Sequence, residues 1–250
     1  MRRVWVVAMV LATALAGLVG CGSKSPAPSI TVFAAASLKP AFTEIGQRFQ
    51  TDNPGARIEF NFAGSSELAT QLTQGVTADV FASANTAQMD KVAQAGLLAG
   101  AAVPFAANTL VIVTAPGNPK KVASFADLAK PGLSVVVCQQ PVPCGSATHK
   151  VEDSTGVQVA PVSEEPDVTD VLNKVITGQA DAGLVYITDA LNAGDKVTAV
   201  RFPEAAGAVN IYPMAVLKNA PQSGLAQRFV DLVTGPAGQK ILDKAGFAKT

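Results

Sequence analysis

The chain has 250 residues, enough for one large domain or two modest ones and too many for a disulfide mini-scaffold. Nineteen basic residues balance nineteen acidic ones, charged residues make up 15% and apolar residues 48%, which excludes a basic nucleic-acid footprint and an intrinsically disordered chain. Three Cys without a Cys-x-x-Cys pair and a single His, His149, leave no zinc-ligand spacing.

Arg2 and Arg3 form a basic start, and Val4 to Gly20 carries no charge. A run of that length approaches the ~20 apolar residues that span a bilayer, but it ends in small residues, as a cleaved export signal does. Leu18-Val19-Gly20-Cys21 resembles the bacterial lipobox. That resemblance implies a signal peptide over 1–20 and a mature chain beginning at Cys21, which carries a diacylglyceryl anchor. The alternative is an uncleaved transmembrane anchor with Cys21 beside it. Removal of Arg2 and Arg3 leaves 17 basic against 19 acidic residues. Residues 21–29, rich in Gly, Ser and Pro, read as a tether.

From Ile30 onward, short β-branched runs alternate with helical segments. Ile30 to Phe33 predicts a strand, and Ser37 opens a helix carrying Phe42, Ile45 and Phe49. Arg57 to Phe62 predicts the next strand, followed by a helix from Ser65-Ser66-Glu67 with Leu68 and Leu72 inward. Asp79 to Ala82 is a short strand, and Met89 to Ala95 is helical until Gly96 stops it. Further strands fit Leu110–Val113, Leu133–Val137, Gly183–Tyr186 and Val197–Phe202. This rhythm implies an α/β fold of parallel sheets flanked by helices. Thr109 to Thr114 and Asn210 to Leu217 are apolar extended runs flanked by Pro or Gly. If both cross between lobes, the central segment forms one lobe and the two ends of the chain share the other.

Ala36-Ser37-Leu38, Gly64-Ser65-Ser66, Pro143-Cys144-Gly145 and Pro166-Asp167-Val168 each sit where a helix starts. A helix start leaves backbone N–H groups without intrahelical partners and a partial positive charge. Four such ends converging would bind an anion without Lys or Arg; taken singly, each Ser reads as an ordinary N-cap.

The string Ile30-Thr31-Val32-Phe33-Ala34-Ala35-Ala36-Ser37-Leu38 resembles the opening of the periplasmic molybdate-binding proteins of ABC transporters. Phe62-Ala63-Gly64-Ser65-Ser66, Ala78 to Ala84, Gly183 to Tyr186, Asn210 to Val216, Gly235-Pro236-Ala237 and Ala245-Gly246-Phe247 extend the resemblance over the mature chain. It implies a two-lobe periplasmic binding protein of type II, with each lobe a mainly parallel sheet flanked by helices and the ligand in the interlobe cleft. Lobe 1 is expected over 30–107 and 216–250, and lobe 2 over 108–215. The implied ligand is molybdate, with tungstate as a second candidate, held through its oxygens by the hydroxyls of Ser37, Ser65 and Tyr186 and by the N–H groups of Cys144 and Val168. No catalysis and no cofactor are implied. The implied partners are a membrane permease and its ATPase, met by a monomer anchored outside the cytoplasm through Cys21.

Three positions depart from the family pattern. Gly64 replaces the first of a common Ser-Ser-Ser and is expected to loosen that turn, Thr169 stands where an Arg often follows the Val, and Cys144 stands where Ala is usual. With Cys21 lipidated, Cys138 and Cys144 remain in an oxidising compartment, where an even pair is expected to form a disulfide; the alternative is two buried thiols. Glu164, Glu165, Asp167 and Asp170 read as solvated charge around a helix start, with the Asp167 carboxylate capping the helix and pointing away from the anion. His149 reads as a solvated helix-face residue turned about 140° from Cys144, so a Cys-His hydrolase is disfavoured, as is a Ser hydrolase without a Gly-x-Ser-x-Gly elbow. A receptor for another tetrahedral oxyanion such as sulfate, and an oxyanion-sensing lipoprotein, are the other readings.

Overall fold

The computed structural model describes residues 27–250; the expected signal peptide, the Cys21 lipidation site and the tether as far as Pro26 lie outside them. In chain order, β1 (Ser29–Ala35) passes through a 3-10 turn (Ala36–Leu38) into α1 (Lys39–Asp52), followed by β2 (Arg57–Ala63), α2 (Ser65–Thr73), β3 (Val80–Ala82), α3 (Thr86–Gln94) and β4 (Val103–Asn108). Next come β5 (Leu110–Thr114), β6 (Val135–Cys138), α4 (Pro143–Thr155), β7 (Ser163–Glu165), α5 (Val168–Ile176), β8 (Ala182–Tyr186), α6 (Ile187–Ala193) and β9 (Thr198–Val200). The chain closes with β10 (Asn210–Val216), α7 (Ser223–Thr234) and α8 (Pro236–Lys244). Among the described residues no helix is long and apolar enough to cross a membrane.

The strands form two five-stranded sheets, ordered β2-β1-β3-β10-β4 and β7-β6-β8-β5-β9, one in each lobe. The sheets are mixed rather than wholly parallel. β10 pairs antiparallel with β3 and β4, and β5 pairs antiparallel with β8 and β9, while the β1–β2, β1–β3, β6–β7 and β6–β8 ladders are parallel. The two reversed strands, β5 and β10, are the ones that follow a crossing between lobes. The chain leaves the first sheet at Asn108 and re-enters it at Asn210, and these two residues are register partners in the β4–β10 ladder. Sheet membership therefore returns at residue 210, six positions before the expected return at 216, because β10 hydrogen-bonds along its whole length within the first sheet.

Both faces of the first sheet are covered. Along β1, Val32 and Ala34 face one apolar cluster and Phe33 the other, and along β10 Tyr212 and Met214 alternate in the same way with Ala215, as a period of two requires when helices lie on both sides. In α1, Phe42, Ile45 and Phe49 share a helix face, and the rings of Phe42 and Phe49 meet Phe229 of α7 edge-on at 5.7 and 5.5 Å, a favoured aromatic geometry. The second lobe packs valines of β5, β6 and β8 against Phe125 and Val171. α3 begins at Thr86, earlier than expected, because the Asn85 side chain accepts from the Gln88 N–H at 3.0 Å and caps it.

Candidate functional site

In each lobe the parallel strands end on the edge that faces the other lobe, the edge where open α/β sheets bind ligands. The helical segments that follow β1, β2, β6 and β7 start there. Ser37, Ser65, Cys144, Val168 and Tyr186, scattered over 150 residues of sequence, line one small cavity together with Ala36, Gly64, Pro143 and Asp167. Ser65 and Tyr186 are each 1% exposed. The N–H groups of Ser65, Cys144 and Val168 stand first or second in their helices, where no intrahelical carbonyl is available to them. No Lys or Arg among the described residues lines the cavity, so its positive potential comes from helix starts.

The hydroxyl groups are supported from behind. The Ser65 oxygen accepts from the Ala84 N–H at 2.9 Å, which leaves its hydrogen to be donated. The Tyr186 oxygen accepts from Asn210 Nδ2 at 2.6 Å, and the same Asn210 nitrogen reaches the Pro143 carbonyl at 3.2 Å. Ser37 Oγ lies 3.0 Å from the Tyr212 hydroxyl, which in turn accepts from Asn108 Nδ2 at 3.4 Å. The register pair Asn108 and Asn210 thus backs both tyrosines of the chain. Burial, reinforced by each other's proximity or by Asp189, raises both phenols well above their ordinary pKa, so they remain protonated donors. In the sequence Asn108, Asn210 and Tyr212 look only like polar ends and an aromatic filler of extended runs.

Cys138 and Cys144 form a disulfide with Cα atoms 5.6 Å apart. It ties the end of β6 to the first turn of α4, beside the cavity, and leaves no thiol at 144. His149 is not simply solvated: its Nδ1 lies 2.7 Å from Glu152 Oε2, and the buried Glu152 also accepts from the Val159 N–H at 2.8 Å. The pair ties α4 to the following loop. Asp167 Oδ1 caps α5 by accepting from Thr169 and Asp170 N–H at 2.7 and 3.1 Å. The residue nevertheless lines the cavity. Glu165 is buried rather than solvated, and although burial pushes its carboxyl up, hydrogen bonds from Lys174 and Ser163 outweigh this and leave its pKa lowered.

Two further features bear on the site. Asp189 is buried in the first turn of α6 and accepts from the Tyr186 N–H at 3.0 Å; burial, with a smaller contribution from Asp167, raises its pKa to about 7. A wider groove lies between α1, α8 and α6, lined by Pro40, Glu44, Leu191 and Lys244. It holds an exposed Glu44–Lys244 ion pair at 3.5 Å; Pro40 and Thr188 on its wall lie in the first turns of α1 and α6, and Ser37 borders it as well. Among the described residues no three His, Cys, Asp or Glu side chains group as metal ligands.

Residues 30–248 match the family model described as bacterial extracellular solute-binding protein. The chain is 65% identical to the molybdate-binding protein ModA of Mycobacterium tuberculosis, over 96% of both chains. It is 32% identical to the molybdate-binding protein ModA of Escherichia coli, over 87% of this chain and 88% of that one. The periplasmic molybdate-binding protein of Azotobacter vinelandii has the same fold, with a TM-score of 0.76, 21% identity, and coverage of 88% of this chain and 99% of that one.

Proposed function

The chain belongs to the bacterial extracellular solute-binding proteins, and we propose that it captures molybdate, and tungstate as its near-isostere, for an ABC importer. The observation that carries this reading is the convergence of Ser37, Ser65, Cys144, Val168 and Tyr186 on one interlobe cavity that offers hydrogen-bond donors and no cation. The similarity to molybdate-binding relatives supports the choice of ion.

Donors alone select a class of ligand. A hydrogen bond to a charged partner contributes roughly 1.5–3 kcal/mol, so five or six preset donors offset the cost of dehydrating a small dianion. Phosphate keeps a proton near neutral pH and requires an acceptor, whereas molybdate, tungstate and sulfate are fully deprotonated. Among the described residues the one carboxylate at the cavity, Asp167, already serves two N–H groups of α5. Burial raises the pKa of the Tyr186 and Tyr212 phenols and holds both in the protonated, donating form near neutral pH.

The reaction is capture and release, with no bond of the ligand broken. Outside the cytoplasm the loaded monomer meets the membrane permease, which its ATPase drives, and a diacylglyceryl group on Cys21 keeps it at that membrane. A thermal-shift panel tests the ligand assignment. At about one hundred times the dissociation constant a ligand stabilises by ~2.7 kcal/mol, which for a chain of this size raises the midpoint by roughly 5–10 °C. Molybdate and tungstate are expected to do so and phosphate is not; no shift with either metal oxyanion would contradict the assignment.

A further inference from the structure

Gly64 precedes α2 with φ −58° and ψ 134°, a backbone conformation open to every L-residue. Its missing side chain therefore answers to space rather than to backbone freedom. A Cβ built there would lie 2.3 Å from the Pro166 carbonyl oxygen, 3.4 Å from the Pro166 carbonyl carbon and 3.7 Å from Asp167 Cβ. These nearest atoms all belong to the other lobe. Gly64 accepts from Glu67 and Leu68 N–H through its own carbonyl and sits against the backbone that leads into α5.

We infer that Gly64 sets how closely the two lobes approach over the anion. The inference rests on the proposed oxyanion site and adds the spacing of the lobes to what one residue of its wall does. Gly64 and Ser65 are consecutive, as are Pro166, Asp167 and Val168, so the approach of Gly64 to Pro166 places the Ser65 and Val168 donors on either side of one small cavity. A methyl group at 64 meets backbone, which cannot swing aside as a flexible side chain would. The lobes must then stop short, and donors aimed across the seam lose their distance to a small tetrahedral ion. Neither lobe needs the glycine for its own folding, because the close atoms are across the seam.

Calorimetric titration with molybdate and thermal unfolding without ligand decide the matter. Gly64→Ala is expected to weaken molybdate binding at least tenfold while its ligand-free unfolding midpoint stays at the wild-type value. Gly100→Ala is the control, since a Cβ there meets nothing within 4 Å, and it should bind like wild type. Small-angle scattering with saturating molybdate should give a larger radius of gyration for Gly64→Ala than for wild type. Wild-type affinity and radius in Gly64→Ala would overturn the role of Gly64 alone, as would a large drop in its ligand-free stability. Failure of the wild-type protein to bind molybdate would overturn the oxyanion site and this inference with it.

Discussion

Asn210 Nδ2 donates to the Tyr186 hydroxyl oxygen at 2.6 Å, so the phenolic hydrogen is left to point elsewhere. Asn210 opens the strand that returns to the first sheet, and Tyr186 ends the second-lobe strand β8. The bond therefore spans the lobes beside their crossing, and it couples the aim of Tyr186, a donor in the proposed site, to the relative position of the two lobes.

Tyr186→Phe keeps the ring and its 6.0 Å edge contact with Tyr212 but removes the donor. It is expected to weaken molybdate binding by about 1.5–3 kcal/mol in calorimetry. Asn210→Ala should weaken binding too, and should also cost about 1–3 kcal/mol of stability because the Pro143 carbonyl and the phenol lose a buried partner. Unchanged affinity in both variants would move the site away from Tyr186.

Ser65→Ala and Ser37→Ala should each cost about 1.5–3 kcal/mol of molybdate affinity. They should differ in stability. Ser65 is the acceptor for the Ala84 N–H, so its loss strands a buried donor, whereas Ser37 pairs with a Tyr212 hydroxyl that also has Asn108. Chemical denaturation is expected to rank Ser65→Ala as the less stable variant, and the reverse order would contradict this account of how the hydroxyls are held.

Asp189 gives a pH dependence with a definite sign. Its folded pKa of about 7 lies above the ordinary 3.8, so between those values the native state holds a proton that the unfolded chain has lost. Stability from this group is present at low pH and is lost as pH rises through that window, with the loss complete above about 7. Asp189→Asn keeps an acceptor for the Tyr186 N–H and removes the titration. Its unfolding midpoint should gain on wild type steadily from pH 4.5 to 7.5, and parallel curves would contradict the assignment.

Alternation of strands and helices was legible from Ile30 onward because the inner strands β1, β5, β6, β8 and β10 are buried almost throughout and read as apolar runs. β4 and β7 were not legible. Pro104 interrupts the β4 pattern and is tolerated because β4 lies at the sheet edge, and Ser163-Glu164-Glu165 is a short polar strand at the edge of the other sheet. The helix starts could be read singly from residue types, but their convergence is tertiary and entered through the family resemblance. Asn108, Asn210 and Asp189 carried no signal, since a polar residue at the end of an apolar run looks the same whether it meets water or a buried tyrosine.

The Cys138–Cys144 disulfide holds the Cys144 N–H on the cavity wall. A Cys138→Ala/Cys144→Ala double variant should fold with a stability loss of about 2 kcal/mol, the scale for so short a loop, and bind molybdate more weakly because the first turn of α4 must be ordered on binding. Equal affinity would reject that role. Two titratable thiols in the unfolded, unreduced protein would contradict the bridge itself.

Anomalous diffraction at the molybdenum absorption edge, from crystals grown with molybdate, locates the bound ion outright. One strong peak is expected in the interlobe cavity, with oxygens within hydrogen-bond distance of the Ser37, Ser65 and Tyr186 hydroxyls and the Cys144 and Val168 N–H groups. No peak there, or a peak in the groove beside Glu44 and Lys244, would contradict it.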